Sequence, residues 1–162
     1  FVAGELNKEY TYPQGKYKVV TGITNETEAP AIFKHKGTYY LLGSGSSGWK
    51  PNAARIFTSK SITGDYTEKS NPCHGVNPYN GLGPEKSFGG HSSLTIPVQG
   101  KKNSYIAMFD IWKPEMPIEG LYIWLPIKIQ TNSINIKWRD EWNLNIFSDE
   151  KKIIPPLPTS IY

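Results

Sequence analysis

Apolar residues along this chain recur in short stretches with a spacing of two, and no window keeps the i, i+3, i+4, i+7 spacing of an amphipathic helix over three turns. The pattern therefore predicts strands. They fall at Tyr17–Thr21, Ala31–Lys34, Thr38–Ser44, Ala54–Ser59, Ser92–Val98, Ser104–Phe109, Tyr122–Ile129 and Ile134–Trp138, each bounded by turn residues. His35-Lys36-Gly37 reads as the turn of one hairpin, and Gln99 to Asn103, with a Gly and two Lys, as the turn of another. Both hairpins run strand, Gly turn, then an aromatic-led strand: Ala31-Ile32-Phe33-Lys34 into Tyr39-Tyr40-Leu41-Leu42, and Leu94-Thr95-Ile96-Pro97-Val98 into Tyr105-Ile106-Ala107-Met108. Their starts lie about sixty residues apart, near the length of one four-stranded blade, and radial β architectures repeat in this way. Between them, Ser70 to Gly90 is rich in Asn, Pro and Gly and is expected to be a long loop. The tail Ile153 to Tyr162 contains three prolines and is expected to run extended along the surface or across a neighbouring blade.

Composition narrows the class. With 162 residues, 38% hydrophobic and 20% charged, the chain supports one globular domain, taken as residues 1–152, and the aromatic content of 13% with 15 Gly and 13 Pro suits short strands and tight turns. The net charge of +4 comes from Lys and Arg spread over the whole length, with no run of five or six like charges, so nothing points to a nucleic-acid partner. No stretch approaches the eighteen or so apolar residues of a membrane span, and the start lacks a basic-then-apolar export segment. The chain begins at Phe1, so that lack says nothing about secretion. The single cysteine, Cys73, cannot form an internal disulfide and reads as a spectator thiol. There is no G-x-S-x-G elbow, no phosphate loop and no zinc-type spacing, and His35 and His74 are expected at the solvent surface. Asn25-Glu26-Thr27 is a glycosylation triplet of a kind common by chance.

One acid stands out. Glu28 sits directly ahead of a run that otherwise reads as buried sheet. Taken alone it is a surface acid capping a turn with Thr27, but its surroundings form an ordered series. Glu28-Ala29-Pro30-Ala31, then Gly37-Thr38-Tyr39-Tyr40-Leu41, then Ser44-Gly45-Ser46-Ser47-Gly48-Trp49 with Pro51-Asn52, resemble the third blade of glycoside hydrolase family 43, in its exo-β-1,3-galactanase-like branch. Phe88-Gly89-Gly90-His91-Ser92-Ser93 resembles the fourth-blade motif of that branch. Met108-Phe109-Asp110-Ile111-Trp112, Tyr122-Ile123-Trp124-Leu125-Pro126 and Trp138-Arg139-Asp140-Glu141-Trp142 continue the match, which spans about Leu6 to Trp142.

The resemblance implies an all-β fold, a β-propeller with five blades in the full family, of which this chain carries roughly blades three to five and lacks the first two. It implies inverting hydrolysis of a terminal β-galactosidic bond in plant polysaccharide. Glu28 takes the place of the general acid, a role that desolvation by neighbours such as Ala29 and Pro30 would favour. Inversion also needs a group across the sugar to activate water. Most of the family draws that base from the first blade; in the galactan-acting branch a fourth-blade Gln has been suggested to help, and His91 stands at its position. His91 thus reads three ways: as a working base, as the mark of a decayed site, or as a core histidine bonded to backbone. Ser47, Trp49 and Asn52 match a subsite wall, and Asp110 and Trp112 match substrate-facing positions, although Ile111 replaces the family's Arg between them. Trp124, within a strand, is expected to pack between blades. No cofactor is expected. Some members hold a cation in the central channel, but no metal ligand set can be assigned here. The implied partner is a galactose-containing oligo- or polysaccharide, the implied location extracellular or periplasmic, and an incomplete propeller would expose sheet faces that favour self-association. The competing reading is a non-catalytic carbohydrate-binding protein or a truncated, inactive propeller fragment.

Overall fold

The computed structural model describes residues 1–24 and 26–147. Tyr39 to Leu42 is apolar without alternation because its strand is buried on both faces. That strand, β4 (Thr38–Gly45), follows β3 (Thr27–His35) and precedes β5 (Ala54–Ser59) and β6 (Thr67–Lys69) in an antiparallel sheet of order β3-β4-β5-β6. One face carries Ala31, Phe33, Tyr40, Leu42, Ala54 and Ile56 into the main core. The other carries Leu41 and Phe57 into a smaller core with Val20 and Tyr66.

Each core is closed by a different neighbour. The smaller lies beneath an N-terminal hairpin of β1 (Val2–Leu6) and β2 (Pro13–Val19), from which Ala3 packs in. The main core is closed by a second sheet, order β7-β11-β10-β9-β8, from β7 (Cys73–His74), β8 (His91–Pro97), β9 (Tyr105–Ile111), β10 (Leu121–Gln130) and β11 (Ser133–Lys137). Phe109, Ala107, Ile123, Leu125, Ile127, Ile134 and Ile136 of that sheet complete the core. The two sheets are consecutive propeller blades, and their first strands, β3 and β8, run side by side. Burial of these largely aliphatic faces supplies the main stabilisation, at roughly 25 cal/mol per Å² of apolar area removed from water.

The strands predicted from Thr38 onward fall where the alternation places them, with the Ala54–Ser59 boundaries unchanged, while the one expected at Ala31–Lys34 extends over Thr27–His35 because pairing with β4 resumes beyond a bulge and takes in Glu28. The strand expected at Tyr17–Thr21 instead ends at Val19, because Val20 leaves the hairpin for the smaller core. β1, β6 and β7 go unseen in the sequence: β6 is a charged edge strand, Thr-Glu-Lys, and β7 has two residues. The Ser70–Gly90 connection is therefore not strand-free, since β7 pairs parallel with β11 at the outer edge of the second blade before the chain returns to begin β8. That return runs through a kinked 3-10 turn, Pro84–Gly89, where Ser87 and Phe88 hold φ of 46° and 62°. Phe88 is buried against Trp138, and its carbonyl accepts from the Asn77 and Asn80 side chains, so packing over-determines an unfavourable backbone. The proline tail expected at Ile153–Tyr162 lies outside the described residues. Among those residues no helix is long and apolar enough to cross a membrane.

Candidate active site

Glu28 opens β3 at a bulge. Pairing with β4 runs in step from His35–Thr38 to Ala31–Leu42, then slips by one residue, so that Ser44 rather than Gly45 stands opposite Glu28. Ala29 makes the slip in the left-handed region, φ 52°, and Pro30 follows it. A bulge of this kind re-aims the side chain before it. The first strand of the next blade does the same: a slip between Ser92 and Leu94 sets His91 opposite Asp110, where unbroken register would give Ile111. The two bulges are tied together, since Ser92 Oγ donates to the Ala29 carbonyl at 3.2 Å.

A cavity of about 580 Å³ opens between these two strand starts, lined among others by Glu28, Ser44, Trp49, His91, Asp110 and Trp112. Such a volume suits a small polar ligand with an apolar wall. Its wall is aromatic: the Trp49 and Trp112 rings lie 4.7 Å apart at 39°, Trp49 largely exposed and Trp112 partly so. Its floor is polar, and Ser44 Oγ, His91 Nε2 and Asp110 Oδ1 are buried without a hydrogen-bond partner.

Five of the seven residues singled out from sequence thus meet at one cavity: Glu28, His91, Trp49, Asp110 and Trp112. Ser47 and Asn52 do not line it. Asn52 Oδ1 accepts from the Gly45 amide at 2.7 Å, while its Nδ2 donates to the Gly45 carbonyl and to Ser47 Oγ, both at 2.6 Å. Ser47 Oγ donates in turn to the Lys50 carbonyl. Their polar atoms are spent shaping the loop that presents Trp49, and Ser87 Oγ braces the loop through the Asn52 carbonyl at 2.7 Å. Ala29 and Pro30, expected to desolvate the acid, are both exposed, Ala29 at the cavity lining itself, so neither covers the acid; Glu28 is half-buried. Trp124 is on the outer face of its blade, opposite Met108 and about half exposed, its carbonyl bonded by Trp142 Nε1.

Residues that sequence reasoning passed over are Ser44 and the Ser92 clamp. A serine at the end of the buried run Tyr40–Ser44 was the available signal, since a buried polar residue among apolar ones is informative.

Other titratable groups lie apart from this cavity. Burial pushes the Cys73 thiol up to about 12, against a hydrogen bond with Ser87 that lowers it, so the thiol is inert as a nucleophile. His74 is exposed, as expected. His35 is not: it is half-buried with its ring edge-on to Tyr105, and burial, with the Lys36 charge second, lowers its pKa. Among the described residues no group of three or more His, Cys, Asp or Glu side chains is arranged to hold a metal ion.

Among solved structures, a GH43 β-1,3-galactosidase is 30% identical with a TM-score of 0.78, covering 90% of this chain and 29% of its own. The chain resembles family 43 of the glycoside hydrolases, in its exo-β-1,3-galactanase-like branch. A second GH43 β-1,3-galactosidase, solved with galactodeoxynojirimycin, is 37% identical with a TM-score of 0.75, covering 88% of this chain and 39% of its own. An exo-β-1,3-galactanase from Clostridium thermocellum is 26% identical with a TM-score of 0.68, covering 83% and 28%. This chain thus spans about a third of the length of the family 43 structures it matches. No family model and no curated protein matches it.

Proposed function

We propose that the chain carries a family 43-type carbohydrate site, directed at terminal β-linked galactose and built for inverting hydrolysis. The observation behind this reading is that Glu28, His91 and Asp110, delivered by bulges in two different blades, line one cavity with the Trp49–Trp112 wall. In this reading the indole wall stacks on the apolar face of the sugar, where the axial hydroxyl of galactose leaves its ring C–H groups bare. Glu28 gives its proton to the departing glycosidic oxygen. His91, whose Nε2 has no protein partner, takes the proton from the attacking water, with the Asp110 carboxylate across the ladder to balance the imidazolium that forms. The likeness to galactosidases and a galactanase supports the choice of sugar.

The test is β-1,3-galactobiose, with the product anomer followed by NMR and binding followed by tryptophan fluorescence. The expected result is release of α-galactose, lost by about 100-fold or more in Glu28→Gln while binding persists. An unchanged rate in that variant would remove Glu28 from the acid role. Binding without any hydrolysis by the parent chain would instead favour the carbohydrate-binding reading.

A further inference from the structure

His91 and Asp110 already have roles in the proposed reaction; Ser44 has none, yet it shares their oddity. It is 1% exposed, lines the cavity and leaves its hydroxyl without a partner. On its strand face it continues Tyr40 and Leu42, both buried in the main core, where an alanine would fit at no cost in hydrogen bonds. A buried hydroxyl left unpaired opposes folding, so its retention calls for a partner that arrives later.

We propose that Ser44 is a substrate-binding residue whose hydroxyl pairs with a hydroxyl of the terminal sugar next to the bond that Glu28 serves. The inference rests on the carbohydrate reading above. Its geometry comes from the bulge: facing cross-strand residues have Cβ atoms about 5 Å apart, so Ser44 Oγ lies close to the acid's side of the ligand. A serine hydroxyl both donates and accepts, which a carboxylate does not. A polyol satisfies both at once, as a ligand with only acceptors cannot. Trp49 and Trp112 then hold the apolar ring face while Ser44 reads a hydroxyl, which is the division of labour a neutral sugar requires.

The experiment titrates β-1,3-galactobiose into the parent chain and Ser44→Ala by calorimetry, with thermal unfolding of both and a set of methyl β-galactosides lacking one hydroxyl each. The expected result is about 3- to 10-fold weaker binding of galactobiose by Ser44→Ala. The melting temperature should be equal or higher, and one deoxy sugar should bind the two proteins equally well. If the parent binds no galactoside, the carbohydrate reading falls and this role with it. If the parent binds and Ser44→Ala matches it, only the Ser44 role is overturned. A lower melting temperature in the variant, or the same loss for every deoxy sugar in both proteins, would make Ser44 structural and overturn the role as well.

Discussion

Gly90 precedes His91 in extended backbone, φ −116°, which any residue can adopt, so an alanine there is tested on space alone. A Cβ at this position would lie 2.8 Å from Phe109 Cβ and 3.3 Å from the Asp110 carbonyl oxygen. Carbon atoms rest about 3.5 Å apart at the least, so β8 and β9 would have to part by about 0.7 Å at the pair that faces the cavity. Phe109 is fully buried between the blades and has nowhere to go. Overpacking of this kind costs about 1–3 kcal/mol. The stiffer unfolded chain returns about 0.4–1 kcal/mol of that, leaving a net loss of about 0.6–2 kcal/mol for Gly90→Ala. With a urea slope of about 2 kcal/mol per M, the unfolding midpoint should fall by roughly 0.3–1 M.

Stability alone would not prove the mechanism, so Gly100→Ala serves as the comparison. Gly100 sits at φ 78° in the β8–β9 turn with nothing within 4 Å of a Cβ, and alanine there costs about 1 kcal/mol through backbone strain. The two variants should therefore lose similar stability. Only Gly90→Ala should also weaken galactobiose binding, by several-fold, because only it displaces Asp110 relative to His91. A Gly90→Ala midpoint within about 0.2 M of the parent, or equal binding in the two variants, would refute the claim that β8 and β9 are in tight register beneath the site.

Cys73 should resist labelling by a thiol reagent at pH 8 in the folded chain and react fully in denaturant, since burial holds the thiol up to about 12; rapid native labelling would contradict the packing of β7 against the core. His35 has a folded pKa below its ordinary 6.5, so the unfolded chain binds the extra proton first. The stability this neutral imidazole contributes is fully present above pH 6.5 and is lost as pH falls from there toward the folded value. Urea midpoints at pH 7.5 and 5.0 in the parent and in His35→Gln would show it, the variant having a smaller difference; equal differences would place the acid sensitivity elsewhere.

The fold was legible wherever one physical signal dominated. β5, β10 and the hairpin turn at His35-Lys36-Gly37 are written in alternation and turn chemistry, and nothing in tertiary packing overrides them. The strands that escaped notice are those whose pairing depends on the partner. β6 is polar because it is an edge, and β7 exists only because Ile136 donates its amide to the Pro72 carbonyl and Cys73 fills the core beside it. No local pattern encodes such a strand, since its stabilising contacts lie about sixty residues away along the chain.

The site was legible in a different sense. Motif order marked Glu28, His91 and Asp110, but the reason they face one cavity is a register slip in each inner strand, and a slip leaves almost no trace in composition. With unbroken pairing, Glu28 would face Gly45 and His91 would face Ile111: an acid beside a residue with no side chain, and an imidazole beside an apolar one. The bulges at Ala29 and Ser93 convert those pairs into acid with hydroxyl and imidazole with carboxylate. The left-handed backbone of Ala29 is the strain that this conversion requires, and the Ser92 hydroxyl holds its carbonyl in place from the next blade. Ile111, which reads as a lost substrate-gripping guanidinium when the residues are counted along the chain, is therefore also the residue that the second slip moves out of register with His91. The chemistry of this cavity depends on two inserted residues as much as on the side chains that line it.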